Sequence, residues 1–235
     1  MSEPPLLAVD PAWYDTHPGA TVGVLAIRGV TNPPTHAGLN DLAAALEADL
    51  CARLGDVPRD ILRATPPLPA YAAYYKRWGQ RYHVAMQLES VAQKGKAIPR
   101  VAALVEAMFV PELRNLLLTA GHDLDALTLP VRLGVGTGET FRSPSGADLT
   151  VKPGDMFTTD AAGRVLSAVV TGPSDFARIG PETTGMLVVV YAPPGIDPVA
   201  VSTHLDEIAA NARLVSPAAE VVGREVVNGG DRVIG

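Results

Sequence analysis

Residues 73–109 read AYYKRWGQRYHVAMQLESVAQKGKAIPRVAALVEAMF, and residues 120–141 read AGHDLDALTLPVRLGVGTGETF. The first segment predicts helices, with Gly79 and Gly95 as residues that end them. In the second segment, glycines separate short β-branched runs, a pattern typical of strands and turns. The change of pattern within one stretch therefore predicts helices followed by strands, which is an α+β order.

The flanking segments extend this pattern. The apolar run 21–30 predicts a buried strand, and the leucines after Asp41, which we expect to cap a helix, recur every four residues until Gly55. Pro69 can open a helix that ends at Gly79. A helix from about residue 100 should be interrupted at Pro111, which we expect to begin a new turn because proline lacks the N–H that a helix interior needs.

The later part of the chain reads mainly as strands. Glycine-containing turns separate short runs at 131–133, 139–141, 149–151, 156–159, 165–170 and 186–191. A helix should open near Pro198, and a last strand is expected at about 220–227.

Composition and charge narrow the class of protein. The chain has 235 residues, one cysteine (Cys51) and a net charge of −6. A single thiol, with no apolar run of eighteen residues, predicts a soluble cytoplasmic protein. The acidic balance argues against a general nucleic-acid binder, including one for DNA. Residues 76–100 differ, with six Lys and Arg against Glu89 alone, so this segment is either a solvated helical face or a patch for an RNA backbone.

Several common motifs are missing. The glycines at 134, 136 and 138 bring the third glycine one residue too early for a dinucleotide fingerprint, and a hairpin explains them better. No P-loop lysine motif and no Gly-x-Ser-x-Gly occur. Five scattered histidines with one thiol do not suggest a zinc site. We therefore expect no metal and no cofactor.

Several short sequence motifs follow one another in a characteristic order. They are AYYKRWG at 73–79, GKAIPR at 95–100, ALVE at 103–106, DLD at 123–125 and Arg132 ahead of Gly138-Glu139, with a weaker continuation in KPGD at 152–155 and IGPET at 179–183. In this order and spacing they resemble the B3/B4 module of the phenylalanyl-tRNA synthetase β subunit, over residues 70–192.

The resemblance implies a layered α+β fold, B3/B4-like, with an irregular β-sandwich packed by helices, and one such domain over residues 1–235. It also implies tRNA-dependent editing by a trans-acting deacylase, which hydrolyses the ester of a mischarged tRNA such as tyrosyl-tRNA(Phe). A phenylalanine pocket rejects tyrosine poorly because the ligands differ by one hydroxyl, so this tRNA needs a second sieve. No synthetase catalytic core accompanies the module, so we do not expect aminoacylation.

The resemblance also implies roles for individual residues. His122 and Glu139 would be catalytic, and Arg100, Asp123 and Thr183 would bind the substrate. The residues expected to contact RNA are Lys76, Arg77, Arg81, Lys94 and Lys96. Structural roles are the alternative readings: a His beside an Asp is commonly a hydrogen-bonded pair, and Glu139 can bridge strand backbone.

The chain departs from the bacterial pattern at two positions. Ala120 stands where a His is expected, and Ala102 stands where an Asn is expected. These alanines favour a non-catalytic module that binds RNA or aminoacyl-tRNA. The acidic remainder of the chain favours a third reading, a binder of a free amino acid such as an aromatic one.

Overall fold

The computed structural model describes residues 5–230, so the ends of the expected 1–235 domain, residues 1–4 and 231–235, lie outside the described part. The helices are α1 (Pro11–Thr16), α2 (Ala37–Leu54), α3 (Arg59–Ala64), α4 (Leu68–Lys76), α5 (His83–Ala92), α6 (Ala103–Asn115) and α7 (Pro198–Val215). The strands are β1 (Leu7–Val9), β2 (Thr21–Arg28), β3 (Leu118–Asp123), β4 (Val131–Val135), β5 (Thr140–Arg142), β6 (Asp148–Thr150), β7 (Met156–Thr159), β8 (Val165–Ala168), β9 (Gly172–Pro173), β10 (Gly185–Ala192) and β11 (Glu220–Asn228).

Most of these strands belong to two sheets. A five-stranded sheet has the order β1-β4-β7-β8-β9, and a four-stranded sheet has the order β11-β2-β10-β3. β1 and β4 are parallel, whereas the other neighbours in both sheets are antiparallel. β5 and β6 form a separate hairpin. Helices with mixed and antiparallel sheets confirm the α+β prediction.

The four-stranded sheet lies between the five-stranded sheet and a helical layer. On one face, Tyr191 of β10 reaches Ser167 of β8, with 2.8 Å between their hydroxyl oxygens. On the other face α7 packs closely, because a Cβ on Gly23 would lie 2.7 Å from Val201 Cγ1 and 2.9 Å from Leu205 Cδ1. The result is a β-sandwich with helices on its outer face.

Tyrosines of α4 attach this helix to the sandwich. The Tyr71 hydroxyl donates to the carbonyl of Tyr191 at 2.6 Å and accepts from the amide of Leu118 at 2.9 Å, which links β10 and β3. The Tyr75 hydroxyl donates to the carbonyl of Val169 at 2.6 Å. The aromatic motif at 73–79 therefore has a structural role, which is to attach α4 to the sandwich.

The prediction for Pro111 is wrong, because α6 continues through this residue. Proline at this position leaves the carbonyl of Ala107, one turn earlier, without its helical donor. The side-chain amide of Asn211, on α7, donates to that carbonyl at 3.1 Å. A partner from the neighbouring helix therefore replaces the missing N–H.

Two other features differ from the sequence predictions. Helix α2 begins at Ala37, and the amide of Asn40 already donates to the carbonyl of His36 at 3.0 Å, so Asp41 lies inside the helix. β3 has no strand-like signal in its Thr-Ala-Gly-His-Asp sequence and forms by pairing with β10 from Leu118 to Asp123. Within residues 5–230 no helix is long and apolar enough to cross a membrane.

Candidate functional site

A cavity of about 600 Å³, called here the wide cavity, opens between α6, β3 and residues 173–181. Its apolar wall comprises Val101, Val105, Met108, Phe109 and Ile179. Gly121 of β3 allows Met108 to approach closely, because a Cβ added at position 121 would lie 2.3 Å from the Met108 methyl carbon. The polar side chains on the wall are those of Asn32, His83, Glu112, Thr119, Ser174 and Arg178.

A second cavity of about 200 Å³, the narrow cavity, adjoins the first and shares His83, Thr119, Ala120 and Pro173 with it. Three residues that carry hydroxyl groups, Ser167, Thr171 and Tyr191, are among those that line it. Among the described residues, the buried Thr171 Oγ1 has no hydrogen-bond partner. The two cavities thus bring an apolar wall next to a wall of residues that carry hydroxyl groups.

The hydroxyls behind the narrow cavity form a network between the two sheets. The Tyr191 oxygen lies 2.6 Å from Thr158 Oγ1 and 2.8 Å from Ser167 Oγ. His122 joins the network, with Nε2 3.3 Å from Ser167 Oγ. Burial lowers the pKa of His122 to about 4, so the ring is neutral near pH 7. His122 lines neither cavity and lies behind their wall.

Glu112 of α6 is a buried carboxyl group on the wall of the wide cavity. Its Oε1 accepts from the amide of Thr119 at 3.0 Å, and no described residue donates to Oε2. Burial raises the pKa of Glu112 to about 8, an effect that the Thr119 hydrogen bond only partly opposes. The carboxyl group is therefore mainly neutral near pH 7.

Asp123 and Thr183 are brought together by the fold. The Thr183 hydroxyl donates to Asp123 Oδ2 at 2.6 Å and accepts from the amide of Gly180 at 2.9 Å. Gly180 lines the wide cavity, whereas Asp123 and Thr183 do not. Their contact holds the 180–183 turn, and with it part of the cavity wall, against the end of β3.

Glu139 lies on a different cavity, of about 490 Å³, which Asp10 and Arg132 also line. Its carboxylate accepts from the Thr137 hydroxyl at 2.6 Å, the Thr137 amide at 2.8 Å and the Gly138 amide at 3.1 Å. Partial burial pushes the pKa of Glu139 up, but these hydrogen bonds outweigh it and hold the pKa below its usual value. The resemblance assigns Glu139 and Thr183 to one site, whereas here Glu139 lines a separate cavity and the 137–139 turn binds its carboxylate.

Arg100 has partners within the protein. Its guanidinium donates to the carbonyl of Ile98 at 2.6 Å and lies 3.1 Å from a carboxylate oxygen of Glu47 on α2. The same Glu47 oxygen accepts from the amide of Ile98 at 2.6 Å. Arg100 therefore fixes the segment before α6 next to Val101, which lines the wide cavity.

The other basic residues fall into two groups. Arg77 stacks on Tyr74 and Trp78, with 5.3 and 4.6 Å from its guanidinium carbon to the ring centres, and this group includes Lys76 and Arg81. Lys94 and Lys96 follow the other end of α5, whose ten residues span about 15 Å. Helix α5 thus separates the two groups, and Lys94 and Lys96 are exposed on the segment that leads to Val101.

Glu112, Thr171 and Tyr191 line the cavities but were not predicted as site residues. Glu112 carries a detectable signal, because it lies at helical spacing after Val105 and Met108 and places a carboxyl group in an apolar stripe. The two hydroxyl residues lie far apart in sequence and meet only when the sheets stack. Across residues 5–230, no cluster of His, Cys, Asp and Glu could hold a metal ion.

Comparison with known proteins reveals a distant structural likeness. Neither a protein-family model nor a curated protein matches the chain. An N-terminal fragment of the phenylalanyl-tRNA synthetase β subunit from Pyrococcus horikoshii has a similar structure, with a TM-score of 0.47 and 12% identity. The match covers 96% of this chain and 51% of the fragment, so the chain spans about half of its length. Nothing about the chemistry of this chain follows from so distant a likeness.

Proposed function

We propose that this protein binds the aminoacyl end of a tRNA and hydrolyses the ester when the tRNA carries an aromatic amino acid that does not match it, as in tyrosyl-tRNA(Phe). The adjoining wide and narrow cavities are the observation that carries this proposal. The apolar wall of α6 suits an aromatic ring, and the hydroxyls of the narrow cavity suit a phenol group. The sequence motifs that resemble the B3/B4 module support the proposal that the ligand is a tRNA.

The polar wall of the narrow cavity provides a basis for the second sieve. Thr171 lines the narrow cavity, and its buried hydroxyl has no partner among the described residues. Once the side chain turns toward the cavity, this hydroxyl would gain a hydrogen bond from a tyrosine ligand. A phenylalanine ligand would leave it unpaired. Selection for the extra hydroxyl is what a site that clears tyrosine from tRNA(Phe) requires.

We assign the predicted site residues to supporting roles. His122 positions the Ser167 and Tyr191 hydroxyls, and the Asp123–Thr183 contact shapes the wall of the wide cavity. Arg100 fixes the segment before α6, next to Val101, at the edge of the wide cavity. We further propose that residues 1–235 form one domain and that the protein acts in the cytoplasm without a metal or cofactor.

Lys94 and Lys96 are the proposed contacts for the RNA backbone, because they lie on the same segment as the cavity-lining Val101 and Ala102. Replacing both with alanine should weaken tRNA binding and reduce the steepness of its salt dependence, since two phosphate contacts are lost. Binding should be measured at several salt concentrations. Lys76→Ala, at the other end of α5, is the matched comparison. Unchanged affinity and salt slope in the double variant would contradict an RNA contact at Lys94 and Lys96.

Deacylation of a panel of mischarged tRNAs tests the main proposal. Release of tyrosine from tyrosyl-tRNA(Phe), with phenylalanyl-tRNA(Phe) spared, is the expected result. Thr171→Val keeps the shape of the residue but removes the hydroxyl, so it should reduce the preference for tyrosine over phenylalanine. If the wild-type protein shows no preference for tyrosine over phenylalanine, the narrow cavity does not bind the phenol group.

A non-catalytic module that binds aminoacyl-tRNA is the second candidate function. Ala102 and Ala120 favour it, because both line the wide cavity where the sequence resemblance implies polar side chains. Salt-dependent tRNA binding without ester hydrolysis would identify this function. Binding of free tyrosine that tRNA does not affect would instead identify a binder of an amino acid.

A further inference from the structure

Glu112 lies in the wide cavity with one carboxyl oxygen held and the other free for a ligand. Oε1 accepts from the amide of Thr119 at 3.0 Å, and Oε2 has no donor among the described residues. The side chain belongs to a buried residue that lines the cavity, so a ligand in the cavity can reach a carboxyl group whose orientation is already set. A buried carboxylate without a cation is costly, which makes this position unusual in an apolar wall.

The groups around Glu112 do not compensate a negative charge. Thr119 connects it to His204 on α7, with 2.8 Å between Thr119 Oγ1 and Nε2, and burial lowers the pKa of His204 to about 4. Other titratable or charged groups in this part of the protein include His83 and Arg178 on the cavity wall, Tyr71 and Tyr75 on α4, and Tyr82 before α5. The Asn115 amide joins His204 to Glu207, and Glu207 lies 3.5 Å from Arg114.

Several of these groups are uncharged near pH 7. Burial raises the pKa values of Tyr71, Tyr75 and Tyr82 further above their usual range. The Arg178 side chain is 67% exposed and lies 4.0 Å from Asp175. No Lys or Arg forms an ion pair with Glu112 within the described residues. The position beside Oε2 is therefore open to a cation that a ligand carries.

We propose that Glu112 binds a primary ammonium group, namely the α-ammonium of an aromatic aminoacyl ligand whose ring occupies the apolar wall. This inference rests on the proposed function for the class of ligand, but it concerns binding alone. The ammonium group donates to Oε2, the carboxyl group gives its proton to solvent, and an ion pair replaces the neutral acid. Binding at a pH at which both partners are protonated therefore releases about one proton per ligand.

L-Tyrosinamide is the probe, because its amide replaces the ester and its amine is free. The matched control ligand is 3-(4-hydroxyphenyl)propanamide, which lacks the amine. Binding should be measured by calorimetry at pH 6.5 in buffers with different ionisation enthalpies, where an α-amine of pKa about 7.7–8.0 is protonated. We expect release of about one proton with tyrosinamide and none with the control ligand.

Two variants complete the test. Glu112→Gln keeps the hydrogen bond from Thr119 but cannot ionise, so tyrosinamide should bind about tenfold more weakly or worse, without proton release. Glu106→Gln is the matched control, because Glu106 is buried on the same helix but does not line the cavity, and binding should be unchanged.

The outcomes separate this inference from the proposed function. Tyrosinamide that fails to bind, or binds without proton release, overturns the ammonium site even if tyrosyl-tRNA is hydrolysed. Proton-linked binding without deacylation supports the site and removes the hydrolytic function. If Glu112→Gln does not fold, the two ligands compared on the wild-type protein still decide the question.

Discussion

Glu112 shows how one side chain can combine a folding cost with a binding function. Its carboxyl group lies in an apolar wall, and burial raises its pKa to about 8. The neutral form avoids an unpaired buried charge near pH 7, while the proton can still be exchanged for a cationic ligand. Groups with such perturbed pKa values in cavities are frequent at functional sites.

The pH dependence of stability should reveal this group. In the unfolded chain Glu112 ionises near its ordinary pKa of 4.5, whereas in the folded protein it keeps its proton up to about pH 8. Its contribution to the free energy of unfolding therefore falls as pH rises between these values. Glu112→Gln should gain stability relative to the wild type from pH 4.5 to 8, by up to about 5 kcal/mol. Chemical denaturation at pH 5 and pH 8 checks this, and an equal difference at both values would contradict a buried neutral carboxyl group.

Helix α6 shows the same dependence on tertiary partners at the scale of an element. Its proline is compatible with a continuous helix because α7 supplies a donor to the carbonyl of Ala107. The stretch is also held on its other side, where Gly121 leaves space for Met108. A helix that lines the wide cavity is thus positioned by side chains from two neighbouring elements.

Replacing Asn211 with alanine should destabilise the protein by about 1–3 kcal/mol, because the carbonyl of Ala107 then loses its donor. Urea denaturation at neutral pH measures the loss. Asn40→Ala is a suitable control, since among the described residues the side-chain amide of Asn40 donates only to the exposed Thr35 hydroxyl, at 3.0 Å. An equal effect of the two substitutions would show that the contact between α6 and α7 is not important for the helix.

At the scale of the whole molecule, the helical layer and the two sheets are joined by buried hydroxyls. The Tyr71 hydroxyl connects α4 to β3 and β10, and the Tyr191 hydroxyl connects the two sheets. Leu118, Ser167 and Tyr191, which these links hold in place, line the narrow cavity. The cavities are therefore a property of the stacked layers.

Tyr71→Phe should lower the free energy of unfolding by about 2–4 kcal/mol, because the carbonyl of Tyr191 and the amide of Leu118 both lose a buried partner. Thermal and denaturant unfolding measure the change. Tyr14→Phe serves as the control, since Tyr14 is only partly buried and has no side-chain hydrogen bond of this kind among the described residues. Similar stability of the two variants would contradict the role of Tyr71 in joining the layers.

Local patterns in the sequence were sufficient for the α+β class and for most helices and strands. Proline, glycine and apolar spacing are short-range signals, and they placed β2, α4 and β7 close to their observed bounds. They were insufficient for β3 and for the course of α6 through Pro111, because a pairing strand and the Asn211 amide come from distant parts of the chain.

The candidate site depended still more on tertiary structure. The resemblance gave Glu139 and Thr183 roles in one site, yet the carboxylate of Glu139 binds its own turn and lines another cavity. Glu112 lines the wide cavity and Thr171 and Tyr191 line the adjoining narrow one only when α6 and both sheets stack, since each residue lies on a different segment. The sequence by itself determined the classes of side chain that are present and the local elements that carry them. Tertiary structure alone decided which of them face one cavity, because burial and hydrogen-bond partners depend on long-range packing.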